Sequence, residues 1–155
     1  MAKAISQEKL KEYEELKKFF SYWLTHIRPI DIFGPDHPGH PINCVEFVEK
    51  KYGISKSLAG LKQAINDIVE DSQDFSVSLI READHSLSNA GILTLTEIIR
   101  RQSRQYKSIL RRAKIRNDTE FYIITSILAD TTLALSDSEV NFLNTLVSGY
   151  ESSKV

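Results

Sequence analysis

Proline decides where this chain can be helical. All four prolines fall between Pro29 and Pro41, with two of the six glycines and two of the four histidines. Proline removes a backbone donor and clashes with the preceding helical turn, so helices stop where it occurs. Long helix-permissive stretches therefore flank a single stiff loop. That loop reads Ile27-Arg-Pro-Ile-Asp-Ile-Phe-Gly-Pro-Asp-His-Pro-Gly-His-Pro-Ile-Asn-Cys44, and its body spans about 28–43.

The flanking stretches carry helical punctuation. Ser6 can cap a helix over 6–27, with Leu10, Tyr13, Leu16, Phe20, Trp23, Leu24 and Ile27 at three- and four-residue spacing. Asn43-Cys-Val-Glu46 has the pattern of a capping box and predicts a short helix to about Tyr52, closed by Gly53. Ser55 or Ser57 opens the next helix, with Leu58, Leu61, Ile65 and Ile68 inward, ending near Asp71–Asp74. Residues 76–90 follow, with Val77, Ile80, Ala83 and Leu87 inward and Gly91 as terminator. Thr94-Leu-Thr-Glu97 is a second box and predicts a helix of about five turns. Asn117-Asp-Thr-Glu120 and Ser136-Asp-Ser-Glu139 open the last two. Phe121–Leu128 is rich in aromatic and β-branched residues, but the box before it and the lack of a partner strand favour a buried helix. The expectation is one all-α domain over 1–155, bundle-like, of six or seven helices, with a loose tail at 151–155.

Composition narrows the class. Apolar content of 41% and charged content of 26% suit one globular domain with a sizeable core. No apolar run approaches the roughly 20 residues of a membrane span, so no membrane partner is expected. The first residues lack an apolar signal region, and Cys44 is the only cysteine. A cytoplasmic location is the resulting expectation.

Charge is unevenly placed. Residues 100–116 hold eight basic residues and no acid, leaving 12 basic against 21 acidic elsewhere, a balance of −9. At 100° per residue, Arg100, Arg104, Lys107, Arg111 and Lys114 share one narrow sector. Leu95, Ile99, Tyr106, Leu110 and Ala113 share another, and Arg101, Arg112 and Arg116 form a second basic row. An arginine row without interleaved acids repels itself. Acids of the same fold, an acidic partner protein or a phosphate backbone could each offset that cost.

The loop offers Asp36, His37, His40 and Cys44. They suggest a metal site of His37, His40 and Cys44 with Asp36, although the prolines work against convergence. A Cys44 nucleophile at a helix start is the other sharp reading, with His37 or His40 as base and Asp31 or Asp36 orienting it. In the plainer reading the loop braces two helices, and Cys44 is a small buried residue. Between these lies a preordered recognition loop. His26 suits a helix C-terminus, and Asp84-His85 reads as a surface or capping pair.

No phosphate loop, zincin, nucleophile elbow or calcium loop is present. The chain is therefore expected to be a non-catalytic module without cofactor that binds another protein, through Arg100, Arg104, Lys107, Arg111, Lys114, Asp36, His37 and His40. Its most concrete form is a small bacterial immunity- or antitoxin-type inhibitor acting by charge-complementary contact. The alternatives are a nucleic-acid-binding regulator using 100–116, and a small metal or cysteine enzyme centred on 36–44.

Overall fold

The computed structural model describes residues 5–30, 32–130, 133 and 135–154. Asp31, considered above as the partner of a histidine base, lies outside them, as does Val155. The described residues contain helices and no strand, as the caps and stripes predict. None of these helices is long and apolar enough to cross a membrane.

Ser6 accepts a hydrogen bond from the Lys9 amide and opens α1 (Gln7–Tyr22). A π-helical turn, Trp23–Ile27, extends it to the proline loop. Beyond the loop come α2 (Pro41–Tyr52), α3 (Ile54–Ser72) and α4 (Val77–Asn89). Then follow α5 (Leu95–Gln102), α6 (Arg104–Arg112), α7 (Asp118–Ala129) and α8 (Asp137–Ser153). Packing divides the chain into two compact units. The first takes the described residues of 1–68 and 85–94. The second takes those of 69–84 and 95–155.

In the first unit Tyr13, Leu16, Phe19, Phe20 and Trp23 of α1 and its π turn are buried. So are Leu58, Leu61, Ile65 and Ile68 of α3. The Tyr13 hydroxyl meets Ser57 Oγ at 2.9 Å, and Ser57 also donates to the Val45 carbonyl at 2.9 Å. In the second unit the core is mostly isoleucine and leucine: Ile98 and Ile99 of α5, Ile109 of α6, Ile123, Ile124 and Ile127 of α7, Leu143 and Leu146 of α8. Each such fully buried side chain contributes roughly 1.5–3 kcal/mol. Phe121–Leu128 is thus helical, and its β-branched residues pack on the inner face of α7.

Four expectations are corrected. The Asn43 box does not open α2; the helix starts at Pro41, with His40 Nδ1 accepting from the Ile42 amide. Proline suits the first helical position, where its missing N–H costs nothing. Neither Ser55 nor Ser57 opens α3, which starts at Ile54: the Ser57 amide already donates to the Gly53 carbonyl at 3.2 Å, and its hydroxyl is engaged by Tyr13 and Val45. The tail is not loose from 151, because α8 runs through Ser153 and Lys154 reaches Asp118. Finally, the five-turn helix is two helices. Ser103, φ −72° and ψ 128°, leaves helical geometry and caps α6 by accepting from the Tyr106 amide at 3.2 Å. That break gives eight α-helices among the described residues instead of six or seven.

Candidate functional site

The basic segment lies wholly in the second unit, where short helices sort its cations into two sets. Asp84 of α4 starts α5: its carboxylate accepts from the Thr96 amide at 3.1 Å and also bonds the Thr96 hydroxyl. Burial holds the Asp84 carboxyl above its usual range, against the pull of these donors. Glu97 is then buried one turn into α5, at 4% exposure.

Arginines from the basic rows close on buried or half-buried carboxylates. Arg101 Nε donates to Glu97 Oε1 at 2.7 Å, and Arg100 Nη1 reaches the same oxygen at 3.3 Å. Arg100 also forks onto Glu139 of α8, Nε to Oε1 at 3.3 Å and Nη2 to Oε2 at 3.2 Å. Such paired geometry is the strong form of an arginine–carboxylate contact. Burial works against the Arg100 charge, but the Glu139 hydrogen bond and the charges of Glu97 and Glu139 outweigh it and hold the guanidinium protonated. The Tyr106 hydroxyl donates to Glu139 Oε1 at 3.1 Å, and burial foremost pushes its phenol above the usual value. Arg112 Nη2 donates to Glu120 Oε1 at 2.5 Å, and the Arg116 amide reaches that oxygen at 2.8 Å.

The three acids share a sequence property. Glu97, Glu120 and Glu139 are the fourth residues of three predicted capping boxes. In the last two, the cap side chain accepts from the glutamate's own amide, Asn117 from Glu120 at 2.9 Å and Ser136 from Glu139 at 3.1 Å. The glutamate side chains are left for arginine. Capping patterns name these residues but carry no information about which distant cation they meet.

The second set faces water. Arg104, Lys107 and Arg111 lie on the outer side of α6, opposite buried Tyr106 and Ile109, and Lys114 follows its C-cap. All four are exposed, and none makes an ion pair among the described residues. At 1.5 Å per residue, Arg104 and Arg111 stand about 10 Å apart along the axis. The predicted single row is therefore divided: Arg100 turns inward to Glu139, and the other four remain outward.

Among its described residues, the proline loop turns His37, His40 and Cys44 to separate contacts. Its backbone turns back through His37 N to Gly34 O and His40 N to His37 O, both 3.0 Å. Asn43 Nδ2 braces it by donating to the Pro35 and His37 carbonyls at 2.8 and 2.7 Å. His37 is exposed, stacks on Phe33 with ring centroids 4.3 Å apart, and accepts from the Gly39 amide through Nδ1 at 2.9 Å. His40 is 1% exposed and occupied as the α2 cap. It cannot contact a partner where it lies. Cys44 is exposed rather than buried, and its Sγ lies 3.9 and 4.0 Å from the Pro38 and Gly39 carbonyl oxygens. The described residues hold no group of three or more His, Cys, Asp or Glu side chains placed to bind a metal. Asp36 is exposed on the same turn. Away from the loop, His85 meets Asn89 one helical turn on, at 3.1 Å, while Asp84 turns to Thr96.

Comparison of the chain with protein-family models, with curated proteins and with solved structures gave no match.

Proposed function

We propose that this protein is a non-catalytic binding module whose contact surface is the outer face of α6, and whose partner is an acidic protein. The observation that supports this is the sorting of the basic segment. Where acids are available in the fold, cations meet them: Arg100, Arg101 and Arg112 pair with Glu97, Glu139 and Glu120. Arg104, Lys107 and Arg111 on the short α6, and Lys114 just past its C-cap, are left exposed and without an ion pair among the described residues. Like charges at three- and four-residue spacing destabilise a helix by a few tenths of a kcal/mol per pair. A carboxylate-bearing surface would relieve that repulsion and speed encounter. Asp36 and His37, on the braced loop of the first unit, are a separate candidate contact, and Arg100 and His40 leave the contact set. A small immunity- or antitoxin-type inhibitor is the most concrete form of this reading, because such a protein needs a compact scaffold and a charged face but no chemistry.

The test is capture from native lysate at low salt, with and without nuclease, using the untagged protein and its Arg104→Glu/Arg111→Glu variant. A protein that survives nuclease, elutes as salt rises and binds the variant about tenfold more weakly or worse is the expected result. Prey lost to nuclease would transfer the same face to a nucleic acid. Identical capture by the variant would remove α6 from the interface.

A further inference from the structure

Within the first unit, residues of α2 and α3, which are joined at Gly53, line an open cleft of about 340 Å³ together with Phe20 of α1 and Gly39 of the loop. That volume is at the small end of the ~300–1,000 Å³ typical of ligand pockets. Phe20, Val45, Val48, Gly60, Leu61 and Ala64 line it. Ser57 also lines it, but its hydroxyl is already engaged by Tyr13 and the Val45 carbonyl. Gly39, Pro41 and the free Cys44 complete the lining, which is mostly apolar. Gly60 is the telling residue. It sits inside a 19-residue helix, where glycine costs roughly 1 kcal/mol relative to alanine. A Cβ built there meets no atom within 4 Å. Packing does not demand the glycine, and a longer side chain at this wall has room to enter the cleft.

Two lysines lie just beyond the elbow end of the cleft, outside the residues that line it. Lys51 lies three residues beyond Val48 on α2, and Lys56 lies four residues before Gly60 on α3, each about one turn toward the elbow. Both are exposed and neither has an acidic partner among the described residues. Their ammonium groups lie 5.4 and 5.3 Å from the Tyr52 ring centroid, and that of Lys51 also lies 5.6 Å from the Phe47 centroid. Tyr52 itself is 53% exposed, as is Phe47 to 60% on the same helix. An apolar trough one turn from two unpaired ammonium groups is complementary to one kind of small molecule.

From this geometry we infer that the α2–α3 cleft binds a small amphipathic anion, an unbranched apolar chain ending in a carboxylate. The chain lies against Val45, Val48, Leu61 and Ala64, and the carboxylate meets Lys51 and Lys56 at the elbow. This site is independent of the α6 face and stands or falls separately.

The test titrates decanoate, decanol and decylamine into nitrogen-labelled protein and follows amide shifts. Decanoate is expected to give saturable shifts confined to α2, α3 and Phe20, and decylamine none. Gly60→Leu fills the trough while improving helix propensity, so it stays folded by circular dichroism and loses decanoate binding. Lys51→Glu/Lys56→Glu weakens decanoate about tenfold or more. Arg104→Glu/Arg111→Glu leaves it unchanged. Equal binding of decanol or decylamine would overturn the anionic half of the inference. No saturable shift, or unchanged binding by Gly60→Leu, would overturn the site itself.

Discussion

Among the described residues, Ala113 alone of the non-glycines has a positive φ, +57°, where it ends α6 in the left-handed conformation. The Cβ makes that conformation cost roughly 1–2 kcal/mol, which glycine avoids. Ala113→Gly should therefore raise stability by about 1 kcal/mol in urea unfolding, with the same denaturant slope. Tyr13 makes a pH prediction at the same scale. Burial, foremost, raises its phenol from 10.0 to about 12. The folded state keeps that proton to higher pH than the unfolded chain does. Stability is thus full below about 10 and falls as pH climbs from 10 toward 12. Tyr106, raised in the same direction, adds to the slope. Unfolding followed between pH 9 and pH 12 checks it: Tyr13→Phe should flatten the decline while costing roughly 1 kcal/mol at neutral pH for the lost Ser57 bond. Individual residues also show how far local pattern reaches. Ser6, Asn117 and Ser136 cap as their spacing predicts, because a cap needs only its own next turn. His40 displaces Asn43 as the α2 cap because Pro41 is already preset for the first helical position, and Asn43 then ties down the loop.

The break at Ser103 is the main surprise among the helices, and its cause is visible once the buried faces are compared. Leu95, Ile98 and Ile99 before it and Tyr106 and Ile109 after it keep one helical phase across the gap. The apolar rows are continuous in sequence although one residue between them leaves helical geometry. Ser103 is itself 1% exposed, and its hydroxyl receives the Tyr106 amide. Ser103→Ala should cost about 1 kcal/mol of stability by loss of that cap. The α6 face yields a sharper test. Lys107 lies three residues after Arg104 and four before Arg111, so Lys107→Glu replaces two repulsive spacings with two attractive ones. The isolated protein should become more stable by roughly 0.5 kcal/mol while partner capture weakens. Thermal unfolding and binding measured on the same preparation check both halves. If Lys107→Glu is destabilising, neighbouring acids already relieve the face, and its repulsion is not what favours a partner.

Across the whole chain, the net charge of −1 conceals an acidic background and one basic segment, much of whose charge is neutralised within the second unit. Rising salt should weaken partner capture far more than fold stability: exposed cations are screened, whereas Glu97 and Glu120 are 4% and 5% exposed and their pairs are shielded from solvent. Denaturant midpoints and capture at matched salt concentrations would check this. An equal loss in both would mean that the exposed cations hold the fold together. The all-α class, the place of the proline loop and most helix starts are legible in the amino-acid sequence by itself. Those depend on backbone donors, side-chain caps and apolar spacing within a few neighbouring residues. The sequence also named the cations of the basic segment and, as capping-box residues, the glutamates Glu97, Glu120 and Glu139. Only the tertiary structure decided which met. Glu139 reaches Arg100 across 39 positions of chain, and Glu120 reaches Arg112 across 8. His37 and His40 are equally polar in sequence, yet one faces water and the other is sealed under Pro41 as a cap. Long-range pairing depends on how helices pack, and packing is set by the summed burial of many side chains rather than by any local spacing.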